Sequence, residues 1–136
     1  MNQPRHKKIR YGLEGRVFVV TGGAQGIGEA CVRTLAADGA AVALWDVDDH
    51  RGAALSAELT AAGVPNLHRR CNVADKAEVD AALAATVAAL GRVDGLVSNA
   101  GIFRAAPFLD IAEADWDAVI AVNLKGVFEC AQAVAR

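Results

Sequence analysis

The chain has 136 residues, 54% of them apolar and 22% charged, with a net charge of -2. A chain of this size forms one domain, buries roughly 68% of its unfolded surface and needs neither disulfide nor metal to fold. The charge balance argues against a broad polyanion-binding surface, and an aromatic content of 5% argues against stacking platforms for single-stranded nucleic acid.

The chain opens on basic residues, Arg5, His6, Lys7, Lys8 and Arg10. The apolar run that follows, Val17 to Val20, is too short for a secretion signal, and no run reaches the length of a membrane span. Residues 1–12 therefore read as a solvated flexible tail, and residues 13–136 as the folded domain. Arg16 to Thr21 is a β-branched apolar run ending in glycines, so a buried strand. From Gly26 the pattern turns helical, with Ile27, Ala30, Cys31, Thr34 and Leu35 on one face and Gly39 as the stop. Ala40 to Trp45 predicts a second strand ending at Asp46. Asp49 caps a second helix carrying Leu55, Leu59 and Ala62, which ends at Gly63-Val64-Pro65.

Leu67 to Val73 predicts a third strand. Asp75 with Glu78 reads as a capping box ahead of a helix whose face holds Val79, Leu83, Val87 and Leu90, closed by Gly91. Val93 to Ser98 predicts the fourth strand, and a long helix runs from about Ala114 to the end. Glu113, Asp115 and Asp117 sit where they complement the dipole at its start. Trp116 reads as a packing anchor, and Trp45 either as core or as a shield at the edge of a ligand. Strands alternating with helices imply an α/β fold, a Rossmann-like doubly wound parallel sheet. Cys31, Cys71 and Cys130 match no zinc spacing or disulfide framework, which points to a reducing, cytoplasmic setting. His6, His50 and His68 lie far apart, so no metal site is expected.

The first strand and first helix are joined by Thr21-Gly22-Gly23-Ala24-Gln25-Gly26-Ile27-Gly28. In that context Gly22 supplies a sharp turn, Gly26 lets backbone approach a pyrophosphate, and Gly28 lets the helix pack close to the strand. Phosphates would face the free N–H groups and positive end of the helix. A tight turn alone also needs glycine, so the loop by itself is weak evidence. Asp46, at the end of the second strand, can accept hydrogen bonds from both ribose hydroxyls of an adenosine and would repel a 2′-phosphate, which favours NAD over NADP. Asp46 also reads as an ordinary aspartate before a helix, in a run with Asp48 and Asp49.

The Thr-Gly-x-x-x-Gly-x-Gly spacing resembles the short-chain dehydrogenase/reductase family, including its 3-oxoacyl carrier-protein reductase-like members. Three further segments resemble family motifs in the same order: Cys71-Asn72-Val73-Ala74-Asp75, Ser98-Asn99-Ala100-Gly101, and Val122-Asn123-Leu124-Lys125-Gly126. The resemblance covers about residues 13–136. It implies that Thr21 ties the turn to a neighbouring strand. Gly22, Gly26 and Gly28 would be the phosphate-loop glycines, with Ile27 on the nicotinamide side. Gln25 stands where NADP-preferring members often carry Arg or Lys. Asn72, replacing the family's usual aspartate, and Val73 would flank the adenine. Asn99, Ala100 and Gly101 would border the nicotinamide ribose, with Ser98 a structural substitution. Asn123 resembles the asparagine that holds a water in the family's proton relay.

The family's serine and Tyr-x-x-x-Lys lie beyond that asparagine, and the only tyrosine here is Tyr11, followed four residues on by Gly15. The expectation is a cofactor half, its sheet truncated after about four strands, that is inactive alone. The fourth strand is then left with an open apolar edge. Two readings stay open. One is an NAD-dependent oxidoreductase acting on a small-molecule secondary alcohol or ketone, a homo-oligomer in its full form, with no nucleic-acid or membrane partner. NAD use would favour an oxidative dehydrogenase over a biosynthetic reductase. The other is a non-catalytic NAD-binding module or remnant.

Overall fold

The computed structural model describes residues 11–136. The basic residues expected to form a tail, up to Arg10, lie outside the described residues. Four strands, β1 (Val17–Thr21), β2 (Ala41–Asp46), β3 (Asn66–Arg70) and β4 (Gly95–Ser98), form one parallel sheet in the order β3-β2-β1-β4. Helices α1 (Gly26–Ala37), α2 (Asp49–Ala61) and α3 (Lys76–Leu90) connect them. After a short 3-10 turn at Phe108–Asp110 comes a long helix. Its first part is α4 (Glu113–Ile120), its middle a π turn (Ala121–Lys125), and its last part α5 (Gly126–Val134).

The strands alternate between two cores. On one face Val20, Val42 and Leu44 pack with Val32 of α1 and Leu55 and Leu59 of α2. On the other, Val19, Ala43 and Trp45 pack with Val79 and Ala82 of α3 and Cys130 and Ala133 of α5. Central strands buried on both sides explain the continuous apolar runs of β1 and β2. Chain order reverses between β1 and β4, because α1 and α2 carry the chain one way and α3 carries it back beneath the sheet. That reversal opens a crevice at the carboxyl ends of the strands, where α/β folds place ligands.

Several expected boundaries move, each for a local reason. The third strand stops at Arg70 and does not run to Val73, because β2 ends where Asp46 pairs with Arg70. Asn72 then turns the chain, its Oδ1 accepting from Ala74 N–H at 3.1 Å. Asp48, not Asp49, caps α2 by accepting from Arg51 N–H, and Ala62 is the end of that helix, with Gly52 joining Leu55 and Leu59 on its buried face. Gly52 has no room for a Cβ, which would meet the His68 ring at 2.1 Å. Only half of the capping box forms. Asp75 accepts from Ala77 and Glu78 N–H, while the Glu78 carboxylate takes the Asn72 N–H at 2.8 Å.

The helix faces keep part of the apolar pattern, with Cys31 and Leu35 of α1 and Val79, Leu83 and Leu90 of α3 packed in the two cores, and depart from it at single positions. On α1 the fully buried residues are Gly28 and Val32, and Ile27 stands 78% exposed. On α3 Val87 is exposed and Thr86 is buried, because its hydroxyl accepts the Trp45 indole N–H at 3.1 Å. A polar side chain was needed there to satisfy Trp45, which is core and not a ligand shield. Trp116 is 60% exposed and anchors no packing. The last helix starts as expected but is not regular: the π turn falls on the segment holding Asn123.

Candidate functional site

A cleft of about 420 Å³ opens over the carboxyl ends of all four strands. Gly22 follows β1, Asp46 and Val47 end β2, Cys71 to Val73 follow β3, and Asn99 to Ile102 follow β4; Val122 of the π turn forms the remaining wall. Eight of the expected site residues line it: Gly22, Gln25, Asp46, Asn72, Val73, Asn99, Ala100 and Gly101. The others are placed behind or beside it. Thr21 is buried beneath the turn, Gly26, Ile27 and Gly28 begin α1 at the rim, and Asn123 lies behind Ile102.

The turn is locked from below by one hydroxyl. Thr21 Oγ1 accepts from Asn99 N–H at 3.0 Å and Ala100 N–H at 3.1 Å, and its own proton points to Val97 O at 3.4 Å. Asn99 answers with its amide, which donates to Thr21 O at 3.1 Å and Gly22 O at 3.0 Å. Thus the last residue of β1 and the residues after β4 form one rigid floor. Gly28 closes the other side: a Cβ there would lie 1.9 Å from Gly22 O. Gly22 itself takes φ +63°, a conformation that side chains resist. Gln25 precedes α1 without capping it by side chain, so the first-turn N–H groups of α1 face the cleft rim unshielded.

Asp46 is buried at 6% exposure, yet reaches the cleft. Its Oδ2 accepts from Ala24 N–H at 2.9 Å and its Oδ1 from Asp48 N–H at 2.9 Å. The carboxylate is therefore fixed between the glycine loop and the start of α2. Each oxygen keeps a lone pair for a ligand hydroxyl. At the far end Asn123 clasps the backbone of Ile102, accepting its N–H at 2.8 Å and donating to its carbonyl at 2.9 Å. This two-point bond explains why an asparagine stands in the π turn, and it fixes the loop after β4 to the last helix. π turns are often found at functional sites.

Sequence reasoning missed Val47 and Ile102, which carried no motif signal, and gave no site role to Cys71 and Val122, the first residues of two motif segments. It also missed Arg51, whose guanidinium hydrogen-bonds the Gln25 side chain across the rim. Burial pushes the Cys71 thiol up to about 12 and the Cys130 thiol to about 11, so both are held as neutral thiols. Among the described residues no three potential ligand side chains gather as a metal site, and no helix is long and apolar enough to cross a membrane.

The chain matches the family described as short chain dehydrogenase over residues 16–136, and it belongs to that family. It is 42% identical over 123 residues to the (2S)-[(R)-hydroxy(phenyl)methyl]succinyl-CoA dehydrogenase subunit of Thauera aromatica, covering 90% of this chain and 50% of that one. A short-chain dehydrogenase/reductase of Burkholderia phymatum in complex with NAD superposes with a TM-score of 0.88 at 32% identity, over 92% of this chain and 44% of that one. One from Burkholderia cenocepacia in complex with NADP gives 0.87 at 40% identity, over 92% and 51%. The chain spans about half the length of the curated relatives it matches. The parallel α/β sheet is thus the Rossmann-like fold of the family, and the family is one of NAD(P)-binding oxidoreductases.

Proposed function

We propose that this chain is the cofactor-binding portion of an oxidoreductase that moves hydride between a small secondary alcohol or ketone and NAD. The observation that carries the choice of NAD is Asp46, a buried carboxylate held by two backbone N–H groups at the edge of the cleft. It would take the adenosine ribose hydroxyls. A 2′-phosphate ~4 Å away would meet a repulsion of about 4 kcal/mol at an effective dielectric near 20, before solvent screening lowers it.

The donor set fits a dinucleotide along its whole length. The Thr21–Gly28 loop and the start of α1 present N–H groups to the pyrophosphate. Asn72 and Val73 flank the adenine, Asn72 with an amide oxygen for its amino group. Asn99, Ala100, Gly101 and Ile27 border the nicotinamide end. When bound, the nicotinamide supplies the hydride chemistry. The protein's own part is to hold, orient and exclude water. Asn123 fixes Ile102 at that end. One donor and one acceptor site remain on its amide, enough to hold a relay water.

Within these residues there is no Tyr-x-x-x-Lys. Turnover is therefore not assigned to this chain alone; NAD binding is. Three unpaired cysteines fit a reducing, cytoplasmic location. Exposed Trp116, Leu124 and Phe128 on the long helix support self-association, which sedimentation would read as a mass above that of one chain.

Asp46→Asn tests the cofactor assignment. It keeps an acceptor for one backbone N–H and removes the charge. Calorimetric titration should show the affinity ratio move toward NADP, by no more than about a thousandfold. An unmoved ratio would remove Asp46 from the ribose site.

A further inference from the structure

The run Asp46-Val47-Asp48-Asp49 makes the adenosine end of the cleft look uniformly acidic, but the folded chain places a cation there. Arg51 lies in the first turn of α2, with its side chain 56% exposed. Its backbone N–H donates to Asp48 Oδ1 at 3.0 Å, the N-cap bond of α2. Its Nη1 donates to Gln25 Oε1, and its Nε stands 3.6 Å from Asp48 Oδ2. Gln25 lines the cleft beside Asp46, and Asp48 N–H is bonded to Asp46 Oδ1. The guanidinium thus bridges the two loops that enclose Asp46, on the solvent side of that carboxylate. Five N–H donors belong to a guanidinium, and Gln25 takes one.

We infer that Arg51 is a second specificity-determining residue, one that opposes Asp46. This rests on the reading of the cleft as a dinucleotide site. A ribose bearing only hydroxyls is served by Asp46 and needs nothing from Arg51. A phosphate monoester on the same ribose projects past Asp46 to the rim, where Arg51 offers charge-assisted hydrogen bonds in a forked geometry. The pair together gives a site that prefers NAD but tolerates NADP, rather than one that rejects it. Gln25 holds one guanidinium nitrogen through a neutral bond and Asp48 faces Nε, so part of the charge is already paired and the remaining N–H donors are the ones left for a phosphate.

The test is a set of titrations of the chain with NAD and with NADP at low and moderate salt, on the wild type, Arg51→Ala, Arg51→Lys and Gln25→Ala. Circular dichroism confirms that each variant is folded. Arg51→Ala should weaken NADP about tenfold and NAD less than twofold. Arg51→Lys should keep part of the NADP affinity, and the gap in NADP affinity between wild type and Arg51→Ala should shrink as salt rises. Gln25→Ala should weaken NADP only modestly, since it frees the guanidinium without removing its charge. Equal losses for both cofactors in Arg51→Ala would mean that the residue only braces the loops, and an unchanged ratio would overturn the inference. If the wild type binds NADP and NAD equally poorly, the dinucleotide reading fails first, and that result is separable from either outcome.

Discussion

Thr21 offers the sharpest test of how the site is built, because volume and hydrogen bonding predict opposite orders there. Valine has nearly the shape of threonine and fills the same buried space, 2% exposed in the folded chain. It has no oxygen to accept the Asn99 and Ala100 N–H groups. Each N–H left without a partner costs about 1–3 kcal/mol when water is shut out. These groups are only partly buried, so Thr21→Val should lower stability by about 2–3 kcal/mol. Thr21→Ser keeps the hydroxyl and loses one methyl, a loss of about 1 kcal/mol. Urea unfolding followed by far-UV circular dichroism gives both values. Serine should be the milder change. Should valine prove milder, or fall within 0.5 kcal/mol of wild type, the hydroxyl does not hold the floor of the cleft.

Three further outcomes are expected. Gly28→Ala puts a methyl 1.9 Å from Gly22 O; it should lower stability by about 1–3 kcal/mol and weaken NAD at least tenfold by calorimetry. The Cys71 and Cys130 thiols, raised by burial to about 12 and about 11, should resist iodoacetamide at pH 8 while the less buried Cys31 reacts, as peptide mapping would show. Their raised values also mean that the stability they contribute is intact below pH 9 and falls as pH climbs toward 11 to 12, because the unfolded thiols ionise first. Asp94 is held below its ordinary value of 3.8, chiefly by the Val17 N–H and then by Arg16 and Arg92. Its contribution is present above that value and lost as pH falls, so acid unfolding of Asp94→Asn should depend less steeply on pH.

The order of strands and helices was readable because glycines punctuate it and β1 and β2 are continuous apolar runs. The site was readable at residues whose type is dictated by one contact: Gly28 by the nearness of Gly22 O, Asp46 by its place at the end of β2. What escaped depends on neighbours distant in sequence. Thr86 is buried because Trp45 needs an acceptor, 41 positions away. The faces of α1 and α3 are set by the sheet beneath them, so Ile27 and Val87 point outward despite their apolarity. The third strand stops where its partner strand stops, which no pattern within Leu67 to Val73 records. Arg51 was passed over because it lies outside every motif. Only the fold brings it to Gln25, from 26 positions away. The π turn left no periodic signal, although the asparagine it presents did.

The central claim is that this cleft holds NAD, with the adenosine at Asp46 and the nicotinamide at Asn99 to Ile102. The most direct measurement is a titration of the isotope-labelled chain with NAD, followed by amide chemical shifts. Saturable shifts should appear in the Gly22–Gly28 loop, at Asp46 and Val47, at Asn72 and Val73, and at Asn99 to Ile102, while the exposed end of α2 near Thr60 stays still. Absence of saturation in a folded sample, or shifts confined to other surfaces, would contradict the account.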